Sequence, residues 1–107
     1  MNAIKIKVNA NGHKYPIIIG TGIAHKLSTI LANNRIKFDK CLFVIDNKIS
    51  KSSIKIIINS FSNKKFECHF LNASEKNKNQ ATVNKILEIL LKKNFHRNDC
   101  LISIGGG

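Results

Sequence analysis

The sequence predicts an α/β fold: a mainly parallel sheet with flanking helices, entered through an N-terminal β-hairpin. Three observations predict it. Apolar runs of strand length recur along the chain, at "CLFVID" (41–46), "FECHFLN" (66–72) and "CLISI" (100–104). Each is preceded by a segment whose apolar residues repeat with helical spacing. Ahead of them all, "AIKIKVN" (3–9) alternates apolar and polar residues, the pattern of a strand with one wet face. Helix and strand alternate from residue 22 onward, which implies parallel strands joined by right-handed crossovers.

The elements follow in order. Residues 3–9 form the first strand, and Asn11-Gly12 in "NGHK" marks a turn. "YPIIIG" (15–20) is the returning strand, with Pro16 suited to an edge or a strand start. In "TGIAHKLSTILANN", Ile23, Leu27, Ile30 and Leu31 fall on one helical face, and Asn33-Asn34 ends the helix. Residues 41–46 are apolar throughout and close on Asp46, as expected of a strand buried on both faces. Ile54, Ile57, Ile58 and Phe61 then predict a helix over about 49–61, although its β-branched residues are modest helix formers. Residues 66–72 are the next strand and "ASEKNKNQ" a polar loop. Val83, Ile86, Leu87 and Leu90 line one face of a helix over 80–93, with Lys92 and Lys93 favourable at its C-terminus. "FHRND" leads into the last strand, 100–104, and then Gly105–Gly107.

Composition narrows the function. The chain has 107 residues, 43% of them hydrophobic, enough for one domain with one core. Its net charge of +12 raises the possibility of a stand-alone basic module that binds nucleic acid. The details weigh against it. Sixteen of the basic residues are Lys and only Arg35 and Arg97 are Arg, whereas base readout favours Arg. The charges are scattered, and one Tyr with no Trp leaves little for base stacking. The 18 Ile and 14 Asn beside them suggest an AT-rich coding bias. Neither nucleic acid nor membrane is therefore expected as a partner. Cys41, Cys68 and Cys100 are odd in number and sit in or beside apolar runs, as reduced core thiols of a cytoplasmic protein do. The N-terminus has no signal-peptide pattern. His13, His25, His69 and His96 show no metal-ligand spacing, and no His/Cys/acid cluster stands out, so no metal site is expected within these residues.

In a parallel α/β sheet, ligands bind at the carboxyl ends of the strands. Asp46, the 73–78 loop and Gly105–Gly107 all lie at such ends and should converge on one rim. Asp46 could accept hydrogen bonds from the hydroxyls of an adenosine ribose, or it could cap the helix that follows. Gly105, Gly106 and Gly107 could allow close approach of a pyrophosphate, or simply turn the chain. Glu75 and Lys78 could contact a cofactor's hydroxyl and phosphate or carboxamide groups, or be a solvated pair of charges. No spacing suggests a nucleophile–base arrangement, so no catalytic residue is assigned.

Taken together, "YPIIIGTGI" (15–23), "CLFVID" (41–46), "SEKNKNQATVNKILEILLKKNFHRND" (74–99) and "CLISIGGG" (100–107) resemble, in this order, the N-terminal part of the 3-dehydroquinate synthase family. That family shows a Y-P-I-x-I-G segment and a strand ending near T-D. It then has G-E-x-x-K before a long helix, R-x-D, and a strand closing on G-G-G-V-V-G-D. The sequence departs from the pattern at Ser74, where the family has Gly, and at Ile45, where Thr is common. It also ends before V-V-G-D, so "GGG" would be the first half of a strand–glycine–helix anion site.

The resemblance implies a Rossmann-like domain of which residues 1–107 are the N-terminal part, an incomplete dinucleotide-binding domain that lacks the family's helical metal and substrate domain. The implied activity is a phosphate-eliminating lyase of the shikimate pathway, serving aromatic amino acid biosynthesis. It converts 3-deoxy-D-arabino-heptulosonate 7-phosphate, a phosphorylated sugar acid, to 3-dehydroquinate and phosphate. NAD would take a hydride transiently and return it. Asp46 would bind the adenosine ribose, Glu75 and Lys78 would contact NAD, and Gly105–Gly107 would begin its pyrophosphate cradle. A divalent metal, zinc or cobalt, would be held by residues outside this chain. The full-length protein would be a homodimer, and the 107 residues alone would be inactive. The related metal-dependent alcohol and glycerol dehydrogenases use a similar glycine-rich rim and are the alternative within enzymes.

Overall fold

The computed structural model describes residues 3–105. The chain opens with an antiparallel hairpin, β1 (Ile4–Ala10) and β2 (His13–Ile19), in register from Ile4 opposite Ile19 to Ala10 opposite His13. The two-residue loop between them has both members at positive φ, 52° at Asn11 and 82° at Gly12. This is the left-handed turn that matches strand twist and selects Asn-Gly. The exit from β2 is tight. A Cβ on Gly20 would lie 2.8 Å from Ile23 Cγ2 and 3.2 Å from Ala3 Cβ, so only glycine passes.

A 3-10 turn (Ile23–Lys26) runs into α1 (Leu27–Asn33). Its first turn is therefore tighter than the α-helix expected, while Ile23, Leu27, Ile30 and Leu31 do lie on the half-buried face. The helix ends by a left-handed residue, Arg35 at φ 61°, with Ile36 N–H on Leu31 O at 2.9 Å and Arg35 N–H on Ala32 O at 3.0 Å.

The core is built on β3 (Lys40–Asp46), α2 (Lys51–Asn59), β4 (Lys65–Leu71), α3 (Gln80–Lys92) and β5 (Cys100–Ile104). The three strands form a parallel sheet in the order β4-β3-β5. The alternating helices and strands thus make the expected mainly parallel sheet with an N-terminal hairpin. Because β3→β4 and β4→β5 step in opposite directions across the sheet, right-handed crossovers put α2 and α3 on opposite faces. Central β3 is accordingly buried on both: Cys41, Phe43 and Ile45 on one, Leu42 on the other, all without exposed surface. Ile54 and Phe61 pack with Phe38, Cys41, Phe43 and Ile45. Phe61 meets Phe43 edge-on at 5.4 Å between ring centres. Ser50 caps α2 by accepting from Ser53 N–H at 3.3 Å.

α3 corrects one expectation. Ile86, Ile89 and Leu90 are half-buried, whereas Val83 and Leu87 stand 47% and 48% exposed. Six of its residues between 83 and 91 are apolar, a stripe too wide for periodicity to say which arc faces the sheet. Its C-terminus is closed by Asn94 at φ 57° and by Lys40, which reaches from the start of β3. Lys40 Nζ donates to Asn94 O at 2.9 Å and to Lys93 O, and lies 4.6 Å from the centre of the Phe95 ring.

Candidate functional site

Parallel strands put their carboxyl ends on one edge of the sheet. Asp46 pairs in register with Leu71, and Ile45 pairs with Ile104, so the tips of β3, β4 and β5 are level. The chain segments leaving them enclose an open cleft of about 490 Å³. Asp46, Leu71, Ala73, Ser74, Glu75, Asn77, Lys78 and Gly105 line it. Asp46, Glu75, Lys78 and Gly105, singled out above as separate strand-end features, thus meet on one rim. Gly106 and Gly107 lie outside the described residues.

Hydrogen bonds decide whether Asp46 caps the following helix. Its Oδ1 accepts from Lys48 N–H at 3.0 Å, two residues on, while the N-terminus of α2 is capped by Ser50. Asp46 therefore turns the chain and is not the helix cap. Asn47 N–H donates to Leu71 O at 2.9 Å and ties the β3 exit to the tip of β4. The carboxylate is held at the cleft by the Lys48 N–H, while the backbone beside it is fixed to β4.

The 72–79 loop is stapled by asparagines. Asn77 Nδ2 donates to Asn72 O at 2.8 Å, and Asn79 Nδ2 donates to Lys76 O at 3.0 Å. Asn79 Oδ1 also accepts from Thr82 N–H at 3.0 Å and so caps α3. Between them Glu75–Asn77 form a single 3-10 turn. Glu75 and Lys78, three apart, then project together, with Lys78 Nζ 3.9 Å from Glu75 Oε1. Both side chains are more than three-quarters exposed, so their mutual attraction is screened and each is free to turn to a ligand. Ser74 has φ −147° and ψ 162°, extended backbone open to any residue, so serine stands where the resemblance expects glycine without strain. Sequence reasoning missed Asn77 and Asn79; their signal is the Asn preference for side chain-to-backbone bonds at turns and caps.

At Gly105 an added Cβ would meet nothing within 4 Å. The chain's own packing does not require glycine there, and its backbone is open to a ligand that comes close. The cleft thus joins two carboxylates, one ammonium and bare backbone at the end of a parallel sheet. This donor set suits a nucleotide: carboxylates for ribose hydroxyls, an ammonium and backbone N–H for phosphate.

A second polar group sits at the opposite end of the sheet. Asp39, His96 and Asp99 bring their ligand atoms within 4.8 Å of one another, a His/acid cluster that the sequence reading did not find. Asp39 is 57 residues before His96, so only the pairing of β3 with β5 unites them. Asp99 Oδ2 accepts from His96 N–H at 2.9 Å and Oδ1 accepts from Lys40 N–H at 3.3 Å. Burial pushes the Asp99 carboxyl up, but these two bonds and the nearby His96 and Lys40 charges outweigh it and hold the pKa below the ordinary value. Asp99 thereby clamps the starts of the two strands. Among the thiols, burial, with smaller contributions from Cys100 and Cys68, pushes Cys41 up to about 11. All three cysteines are free. Among the described residues no helix is long and apolar enough to cross a membrane.

Comparison with known proteins gives the chain's relatives. Residues 68–107 match the family model described as 3-dehydroquinate synthase N-terminal. The chain is 52% identical over 107 residues to the 3-dehydroquinate synthase of Pelagibacter ubique (strain HTCC1062), covering 100% of this chain and 29% of that protein. It is 34% identical to that of Blochmanniella floridana, covering 96% and 29%. The chain thus spans less than a third of the length of these relatives. Its fold superposes on a crystal structure of 2-deoxy-scyllo-inosose synthase with a TM-score of 0.81 and 15% identity, over 97% of this chain and 29% of that one. A second structure of that enzyme, complexed with carbaglucose-6-phosphate, NAD+ and Co2+, gives 0.76 and 13% identity, over 92% and 26%.

Proposed function

Because this chain belongs to the 3-dehydroquinate synthase family, matching its N-terminal part, we propose that residues 1–107 form part of a dinucleotide-binding domain and that the cleft at the strand tips receives the adenosine side of NAD. The observation that carries this reading is the convergence of Asp46, Glu75, Lys78 and Gly105, from three strand ends, on one open cleft. When bound, NAD supplies a transient hydride acceptor. The chain's own residues bind and orient it. Asp46, held by Lys48 N–H, offers its remaining lone pairs to the ribose hydroxyls. Lys78 neutralises a phosphate, Glu75 accepts from a cofactor hydroxyl, and Gly105 with the glycines after it lets the pyrophosphate approach the backbone.

The reaction of the whole protein is the conversion of 3-deoxy-D-arabino-heptulosonate 7-phosphate to 3-dehydroquinate and phosphate, a shikimate-pathway step in the cytoplasm, carried out by a homodimer. The side chains lining the cleft offer oxygen, from Asp46, Glu75, Ser74 and Asn77, and no imidazole or thiolate, which fits poorly to zinc or cobalt. We assign the metal to parts of the family's architecture outside these residues.

The test is NAD binding to this chain, followed by ligand-observed NMR, with Asp46→Asn as the probe. Loss of the carboxylate should weaken binding roughly tenfold, the cost of one hydrogen bond to a charged acceptor, and phosphate release from the heptulosonate phosphate should be absent in both proteins. Equal NAD binding by wild type and Asp46→Asn would remove Asp46 from the site; phosphate release by the 107 residues would refute the assignment of the metal elsewhere.

A further inference from the structure

The two charged side chains of the 72–79 loop have little to hold them. Glu75 and Lys78 are both more than three-quarters exposed, so packing fixes neither. The backbone that carries them is one 3-10 turn, Glu75–Asn77, closed by Asn77 N–H on Ser74 O at 3.0 Å and Lys78 N–H on Glu75 O at 3.2 Å. A turn that short has no stability of its own in water. Every residue from 72 to 79 is exposed except Asn77, which is half-buried. Asn77 borders both the cleft and a smaller pocket that includes His69, Thr82 and Lys85. Its Nδ2 donates to Asn72 O at 2.8 Å, which ties the turn back to the first residue after β4. That point is fixed from the other side as well: Leu71 O, one residue earlier, accepts from the N–H of Asn47, the neighbour of Asp46.

We propose that Asn77 is a positioning residue of the cleft: its amide sets where Glu75 and Lys78 stand relative to Asp46. Asp46 is tied to the tip of β4 through Asn47, and the Glu75–Lys78 turn is tied to the same tip through Asn77. The two arms of the site therefore share one anchor, Leu71-Asn72. Asn79, the other side chain that staples this loop, bonds Lys76 O and Thr82 N–H, and so fastens the turn to α3 and not to the sheet. Without the Asn77 bond the turn stays joined to α3 and is free to swing away from Asp46. A loop already ordered in the free chain adds no ordering cost to binding, whereas a loose one must be ordered by the ligand, which lowers affinity.

This role rests on the cofactor reading of the cleft for the identity of the ligand. Titration of the chain with NAD, followed by ligand-observed NMR, tests it in four proteins: the wild type, Asn77→Ala, Glu75→Ala/Lys78→Ala, and the variant that combines all three changes. Asn77→Ala should weaken NAD binding roughly fivefold, about what one neutral hydrogen bond is worth, with unchanged far-UV circular dichroism and melting temperature. Its backbone amide heteronuclear Overhauser effect should fall at residues 75–78 and stay the same in β4 and α3, a loosening that general destabilisation would not confine to the turn. In the Glu75→Ala/Lys78→Ala background the same change should weaken NAD no further, because the groups that Asn77 positions are gone. An unchanged Overhauser effect at 75–78, an affinity loss that comes with a lower melting temperature, or an equal loss in the Glu75→Ala/Lys78→Ala background each overturns the role. Equal NAD binding by the wild type and Asn77→Ala overturns it and leaves the cofactor reading standing, whereas a wild type that does not bind NAD overturns both.

Discussion

Asp99 shows how much one side chain can carry. It is 2% exposed, accepts from the backbone of both His96 and Lys40, and lies 3.5 Å from His96 Nε2. Its pKa is held low in the folded chain, so its charge stabilises the fold at any pH above the ordinary carboxylate range. That contribution is lost as pH falls through the lowered value. Asp99→Asn should therefore lower the melting temperature at neutral pH and flatten the acid limb of a melting temperature–pH curve. Curves for the two proteins that run parallel down to about pH 2 would show that the carboxylate's charge does not matter. The sequence displayed Asp99 only as part of an R-x-D motif; its role as a clamp depends on Lys40, 59 residues earlier.

Among the elements, the helix ends are the informative places. α1 and α3 both close with a left-handed residue followed by a bond back to the carbonyl five residues earlier, and neither uses glycine. Asn94 tolerates that conformation, whereas Arg35 adopts it at a steric cost that no side-chain hydrogen bond among the described residues offsets. Arg35→Gly should stabilise the chain by about 0.5–1 kcal/mol, read as a rise of a few degrees in melting temperature; an unchanged or lower value would mean that Arg35 makes compensating contacts. Asn33-Asn34 correctly marked where α1 stops, but polar residues at a helix end do not say which one turns left-handed. For the same reason the 3-10 start at Ile23 was not legible, because 3-10 and α-helices share the same short-range apolar spacing.

For the whole molecule, the two sheets differ in support. β3 is flanked by strands on both sides and covered on both faces, whereas the hairpin has two open edges and an exposed apolar face. In the monomer, amide hydrogens of Leu42, Phe43 and Val44 should exchange only on global unfolding, and those of β1 and β2 orders of magnitude faster. Equal protection in the two sheets would mean that the hairpin is an integral part of the core. The +12 charge, suggestive of a polyanion partner when read as a sum, is scattered along the chain, and its position matters more than its total.

The order of strands and helices, the parallel sheet and the shared rim were determined by the sequence alone, because hydrophobic period and chain direction are local and parallel strands must end together. Tertiary structure decided what local pattern leaves free. It chose which arc of α3 is buried and which face of the hairpin turns outward, since both depend on what stands opposite. It also made Ser50 rather than Asp46 the cap of α2, and joined Asp39 to His96 and Asp99, because these outcomes require residues distant in the chain or competing within one turn to be placed in space.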